Sequence, residues 1–256
     1  MSRAYVERFA ARARDAGIGH LGISEHLYRF RQAAGLLETE HALARRMDDL
    51  DLYFDVLGAA RDDGVIQAIG IEADYSPESL EGTAALLQRY PFDYVIGSVH
   101  WLGDFAVDLE DQAHRYEEIG VDRVYERYYA ALAEAAASGV FHLLAHLDLP
   151  KIWGRRPSAS AGRLHREVVR IAAEKGLVVE FSTAGWRRPV AEPYPAAEIL
   201  RDLVAAGVKL TVSSDAHTPE EVGYRYPDAY AMLRSHGVTE VAAFSGRSTR
   251  MVALPE

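Results

Sequence analysis

The chain has 256 residues, 49% hydrophobic and 26% charged, a balance that excludes disorder and allows one barrel-sized domain over residues 1–256. Its formal net charge of −10 argues against a nucleic-acid surface, and no apolar run approaches the ~20 residues of a membrane span. The absence of cysteine excludes disulfides and thiolate chemistry. Together with an amphipathic N-terminal stretch over residues 2–9 that carries an acidic residue and is unlike a signal peptide, it points to the cytoplasm.

In chain order, helix and strand alternate. Residues 3–16 read as a helix, with Tyr5, Phe9 and Ala13 at helical spacing and Gly17 as the stop. Residues 18–24 make a short strand that ends at Glu25-His26. A long helix over 38–62, closed by Gly64, leads to a strand at 65–71 that ends at Glu72. A helix at 77–89 precedes the strand 93–99, which ends at His100. The tyrosine-rich helix 116–137 leads to the strand 140–145 and His146. Helices at 160–174 and 195–206 precede the strands at 177–181 and 208–212. A last helix at 219–236 is followed by an apolar run at 240–244. Such alternation predicts a parallel sheet with helical crossovers, and the number of units favours a closed α/β barrel.

His26, Glu72, His100, His146 and Asp215 each fall at the C-terminal end of a separate strand. In a barrel these ends converge on one face, where the chemistry of such folds resides. Imidazole and carboxylate donors converging there make a divalent metal site, with zinc, manganese and iron all suited to the set. Extended chain has a side-chain period of two, so Asp215 and His217 would project to the same side beyond their strand. The competing reading of that stretch is an Asp turn leading into a helix start at Thr218-Pro219-Glu220-Glu221. The other histidines, His20, His41, His114, His142, His165 and His236, fall mid-strand or on helices and read as structural or solvent-facing.

The ordered motifs Gly22-Ile23-Ser24-Glu25-His26, Gly70-Ile71-Glu72, Ile96-Gly97-Ser98-Val99-His100, Ala145-His146-Leu147-Asp148 and Ser214-Asp215-Ala216-His217 resemble the PHP (polymerase and histidinol phosphatase) superfamily. Residues 93–101 and 182–189 look like signatures of its histidinol-phosphate phosphatase branch. The resemblance covers nearly the whole chain. It implies a distorted, TIM-like (β/α)7 barrel with up to three divalent metal ions, hydrolysing the phosphomonoester L-histidinol phosphate in histidine biosynthesis. By that resemblance Glu72 bridges two metals, and His100 and His146 complete the second. Asp215 binds the first, and His26 and His217 bind the third. Glu72, Asp215 and His217 thereby carry the catalytic centre, whose close cations turn a water into hydroxide near neutral pH. Arg187, Arg188, Lys151 and Trp101 are the candidates for holding the substrate.

One departure from the pattern carries an expectation of its own. The superfamily opens with a strand bearing a His-x-His pair, followed in this branch by a further histidine, whereas the first histidine here is His20. The helix at 3–16 corresponds to the one after that strand. The resemblance therefore implies a barrel lacking its first strand, with a gap beside residues 18–24 or a replacement segment there, a dimer partner being the expected source. A weakened first metal and impaired activity would follow. Two further readings stand beside the phosphatase, a non-catalytic module binding a phosphorylated metabolite and a phosphoesterase or nuclease of other specificity.

Overall fold

The computed structural model describes residues 1–255. Its strands are β1 (Gly22–His26), β2 (Ala68–Asp74), β3 (Tyr94–Ser98), β4 (Trp101–Leu102), β5 (Phe105–Ala106), β6 (Leu143–Leu144), β7 (Val178–Ser182), β8 (Lys209–Ser213), β9 (Glu240–Ser245) and β10 (Ser248–Ala253). Six of them lie in the spatial order β1-β2-β3-β6-β7-β8, and every pairing in that sheet is parallel. Parallel neighbours need crossovers. Helices α2 (Glu40–Arg45) and α3 (Leu50–Asp62) join β1 to β2, and α4 (Leu80–Gln88) joins β2 to β3. Helices α5 (Arg115–Ile119) and α6 (Val121–Ala137) join β3 to β6, α7 (Ala159–Gly162) and α8 (His165–Lys175) join β6 to β7, and α9 (Ala197–Ala205) joins β7 to β8. The parallel sheet with helical crossovers is as the alternation predicts, and the six strands make a half-barrel consistent with the distorted TIM-like barrel of the resemblance; the barrel is not closed, because β1 and β8 do not pair.

Successive residues of each strand face opposite layers, as the period of two requires. Val95, Leu144 and Val179 pack outward into the main core beneath the helices. Tyr94, Ile96, Leu143 and Val178 form a second cluster with Ala242 and Phe244 of β9. Helix α1 (Arg3–Asp15), capped by the Ser2 side chain, buries Val6, Ala10 and Ala13. Helix α3 buries Leu50, Tyr53, Leu57 and Ala60 at steps of three and four. The Tyr53 hydroxyl donates to the carbonyls of Ile23 (3.2 Å) and Gly70 (2.9 Å), fixing α3 against β1 and β2.

Several predicted elements are shorter or broken. The helix expected over 38–62 splits because Asp48 pairs with the backbone of Arg29 and Arg31, and Asp49 caps a new helix by accepting from Asp51 and Leu52. Gly120, at φ +90°, divides the helix expected over 116–137. The strand at 140–145 is only Leu143–Leu144, and the helix at 219–236 becomes a turn of 3₁₀ helix at Pro219–Glu221 followed by α10 (Tyr226–Ser235). The hairpin of β4 and β5 and the strand β10 are additional to the sequence reading.

Strands β1 and β8 are the two edges of the sheet, and residues of both line one cavity of ≈ 690 Å³. The opening expected beside residues 18–24 is therefore present. The chain's own hairpin of β9 and β10 covers this side. His20 Nε2 lies 3.0 Å from the Phe244 carbonyl oxygen, and the Thr211 hydroxyl donates to the Ala242 carbonyl at 2.9 Å. Against the hairpin sits Tyr94, which packs on Phe244 with ring centroids 5.1 Å apart. Its ring has room only because Gly22 and Gly70 lack side chains, since a Cβ at Gly70 would overlap it. Substituting Gly70→Ala should therefore destabilise the fold by about 1–3 kcal/mol, read as a lower urea midpoint at unchanged m-value. An unshifted midpoint would show that the Tyr94 ring is not wedged as described.

Candidate metal centre

The parallel register brings the first donors together. His26 and Glu72 are register partners on β1 and β2, and His100 and His146 follow two residues after the ends of β3 and β6. Glu72 Oε2 lies 3.4 Å from His26 Nδ1, while its Oε1 lies 3.6 Å from His100 Nε2 and 3.4 Å from His146 Nε2. The two oxygens of one carboxylate thus face different imidazoles. All four side chains are largely buried, at 12% exposure for Glu72, 17% for His26, 11% for His100 and 6% for His146.

A carboxylate so enclosed should resist ionisation. Burial does push Glu72 up, but the surrounding His26, His146 and His100 outweigh it and hold the carboxyl far below its usual range. Burial likewise opposes charge on His100, yet Asp74 overcomes it and raises the imidazole well above its ordinary value. Asp74 Oδ1 sits 2.8 Å from His100 Nδ1, leaving Nε2 to face Glu72. An acid bonded to the far nitrogen of an imidazole is how such rings are oriented toward metals.

His146 is held through its backbone, at a φ of +27°. Its N–H donates to Glu180 Oε2 at 3.1 Å and its carbonyl accepts from the Tyr128 hydroxyl at 2.8 Å. Ser213 donates to the other oxygen of Glu180 at 2.6 Å, tying the end of β8 to the same carboxyl. Burial pushes Glu180 up to about 7; Asp215 adds to the rise, and His146 and the Ser213 hydrogen bond oppose it.

Asp215 and His217 approach each other by a turn instead of by extended chain. Asp215 has φ +45°, and strand β8 has already ended at Ser213. Their side chains are 3.7 Å apart and partly open, with His217 56% exposed and its ring 6.0 Å from that of His26. Both line the cavity that holds the Glu72 cluster. The turn at Asp215 leads into the 3₁₀ helix Pro219–Glu221, as the competing reading has it, although Thr218 does not cap that helix through its side chain; the extended spacing is the reading that fails.

The four substrate-binding candidates part company. Trp101 lines the cavity. Lys151 does not reach it: its ammonium is 1% exposed, 2.7 Å from Asp148 and donating to the Pro193 carbonyl at 2.7 Å. Arg187 grips the backbone of Ser214 (2.8 Å) and Asp215 (3.0 Å), shaping the turn that carries the donors, while Arg188 is on the surface. Of the six histidines expected to be structural or solvent-facing, His41 departs from that expectation by lining the cavity beside Trp101, at 5.9 Å between rings. His20 borders the cavity too, yet holds the hairpin as described.

Asp74 and Glu180 were not anticipated, although both left a trace in the sequence. Asp74 lies two residues after Glu72 on one strand and hence on the same face. Glu180 is a lone charge within an apolar strand, and such a residue is rarely buried without a task.

The donors fit a divalent ion. Two ligands about 2.1 Å from one tetrahedral zinc stand roughly 3.4 Å apart, the spacing seen here and too long for a normal hydrogen bond. His26 Nδ1 is buried without a hydrogen-bond partner, so an acceptor of its lone pair is wanting. His26, Glu72 and His100 present donor atoms all within 4.8 Å of one another.

The chain is similar to known proteins in sequence and in fold. The model of a family described as PHP domain matches residues 1–184. A "Probable histidinol-phosphatase" of Deinococcus radiodurans is 35% identical over 232 residues, 90% of this chain and 86% of that protein. A second, from Schizosaccharomyces pombe, is 28% identical over 188 residues, 68% of this chain and 60% of its own. The crystal structure of histidinol phosphate phosphatase from Lactococcus lactis, complexed with zinc, L-histidinol and phosphate, superposes with a TM-score of 0.78. It covers 95% of this chain and 91% of its own at 20% identity, a likeness of fold.

Two outcomes follow from the orienting acids. Asp74→Asn should weaken zinc binding by about 10–100-fold in chelator competition, through a His100 ring no longer held by a charge; an unchanged affinity would separate Asp74 from the donors. Glu180 has a folded value of about 7, above the 4.5 of the free group, so it favours the fold fully below pH 4.5 and this contribution is lost as pH rises through about 7. Metal-free wild type should thus lose stability to urea between about pH 5 and about pH 8 relative to Glu180→Gln. Parallel pH profiles of the two proteins would contradict it.

Proposed function

Because the chain belongs to the PHP domain family, we propose that it is a metal-dependent phosphomonoesterase that hydrolyses L-histidinol phosphate to histidinol and phosphate. The observation that carries the reading is Glu72, a buried carboxylate whose two oxygens face His26 on one side and His100 with His146 on the other. A bridging carboxylate between neighbouring ions needs that division of its oxygens. The substrate comes from the relatives named for histidinol phosphatase activity.

In this reading, which follows the family pattern, His100, His146 and Glu72 would hold one ion, Glu72 and Asp215 would contribute to another, and His26 with His217 would serve a third. Divalent ions held there supply the positive charge and Lewis acidity that phosphate-ester hydrolysis demands. The chain's own residues do the positioning. Asp74 fixes the tautomer and direction of His100, and Glu180 with Tyr128 fixes the backbone of His146. Arg187 holds the turn that presents Asp215 and His217. The cavity of ≈ 690 Å³ lies within the usual range for a small-ligand site. A non-catalytic module has no need of so many donors held at these spacings.

The test measures kcat/KM for L-histidinol phosphate against a panel of sugar and nucleotide monophosphates. Histidinol phosphate should lead the panel, chelator dialysis should abolish turnover, and zinc or manganese should restore it. Glu72→Gln should lower kcat by at least about 10²-fold, the scale of losing one group that organises transition-state charge. Equal turnover across the panel would reject the substrate, and full activity after exhaustive chelation would reject the metal.

A further inference from the structure

Beyond the donor cluster, the cavity wall carries side chains with no role in the chemistry above. Tyr28 stacks on His26, with ring centroids 5.0 Å apart and planes at 19°. Its hydroxyl lies 3.4 Å from His41 Nε2, and the His41 ring stands 5.9 Å from that of Trp101. Trp101 directly follows His100, so the aromatic wall begins at the donors on both flanks. Asp108 lines the same cavity half-buried, and its carboxylate has no hydrogen bond or ion pair among the described residues.

The cations nearby are engaged elsewhere. Arg29 pairs with Asp48 at 3.0 Å and Glu25 at 3.5 Å, and Arg45 donates to the His41 carbonyl at 3.4 Å. Burial and the charge of Arg45 push the His41 imidazole below its ordinary value, so it brings no positive charge of its own. What remains is a free carboxylate beside the rings of tyrosine, histidine and tryptophan. Ring faces and a carboxylate both attract a cation and repel a phosphate, and they do so more strongly in a partly desolvated cleft. Asp108 lies within electrostatic reach of Tyr28, His41 and His100 alike, so the carboxylate flanks the donor cluster and offers the preference opposite to that of a bound metal ion.

We propose that Asp108, with Tyr28, His41 and Trp101, forms a cation subsite that receives the substrate's ammonium group. The enzyme thereby selects phosphomonoesters that carry a primary amine close to the ester. This rests on the phosphomonoesterase reading above and adds the feature by which the substrate is told from other monoesters. An amine lost from the ligand leaves Asp108 half-buried and unpaired, whereas a matching ammonium satisfies it, which is the form of discrimination that polar sites achieve.

The experiment uses the metal-loaded protein and a matched pair, L-histidinol phosphate and 3-(imidazol-4-yl)propyl phosphate, which differ only in the amine. Wild type should favour the aminated ester in kcat/KM by on the order of 10–100-fold, the scale of a hydrogen bond to a charged group. Asp108→Asn should collapse that ratio toward one, mainly through KM. The inhibition constant of L-histidinol itself should rise by a similar factor. Trp101→Leu, which leaves the carboxylate in place, should lower the ratio in part. If Asp108→Asn lowers both esters equally and preserves the ratio, the subsite is overturned while the phosphatase reading stands. If wild type prefers the aminated ester yet sugar or nucleotide monophosphates outrun both, the subsite stands and histidinol phosphate falls as the substrate.

Discussion

The buried carboxylate of Glu72 is the constraint on which the rest of this molecule depends. An isolated carboxylate in the interior costs several kcal/mol and ordinarily takes up a proton instead. Here it stays ionised because three imidazoles surround it at 3.4–3.6 Å. Those imidazoles arrive on three other strands, so the carboxylate is tolerable only in a sheet where all the strands run parallel and in register. A slip of β1 by one residue would turn His26 to the opposite face and leave one oxygen of Glu72 unopposed. The strand pairing and the ionised site therefore require one another.

Charge alternates outward from this centre. Asp74 stands behind His100, and Glu180 stands beneath the backbone of His146. The two carboxyls Glu72 and Glu180 are both buried, yet they are driven in opposite directions, one far below its usual range and one up to about 7. The difference lies in their neighbours, not in their depth. Glu72 faces several imidazoles, whereas Glu180 shares its surroundings with Asp215 and receives only a hydroxyl and a backbone N–H as donors. The first is suited to remaining charged beside cations, and the second to holding a strained backbone. Separating roles by environment in this way is how one site can use several carboxyls at one pH.

Much of this could be read from the chain because a parallel α/β sheet puts its ligands at strand ends, and a histidine or glutamate closing an apolar run is visible in a single sequence. His26, Glu72, His100 and His146 were legible for that reason. Asp215 and His217 were legible as residues but not as geometry, since the extended spacing assumed for them ends where Asp215 enters the left-handed region. Lys151 and Arg187 look like phosphate-binding cations in sequence, and nothing there shows that one is sealed against Asp148 and the other bonded to the backbone of a neighbouring turn. The wall formed by Tyr28, His41, Trp101 and Asp108 comes from a 3₁₀ turn, helix α2, strand β4 and the loop after β5. No local period links such residues, and only the folded chain brings them together.

The same architecture sets an order among the donors. Glu72, His100 and His146 sit on or just after the inner strands β2, β3 and β6, each paired on both sides, and their exposure is 6–12%. His26 belongs to the edge strand β1, and Asp215 with His217 follows the other edge, β8, on a turn where exposure reaches 56%. An inner strand is fixed by two ladders of hydrogen bonds, whereas an edge is fixed by one and leans on whatever covers it. The cover here is the C-terminal hairpin, joined to the loop before β1 through His20 and to β8 through Thr211. The inner donors are thus preorganised by the sheet itself, and the edge donors by contacts formed last in the chain. Preorganisation governs how much of a ligand's intrinsic attraction survives as affinity. The Glu72–His100–His146 group should hold its ion most tightly, with the edge positions following according to how firmly the hairpin closes over them.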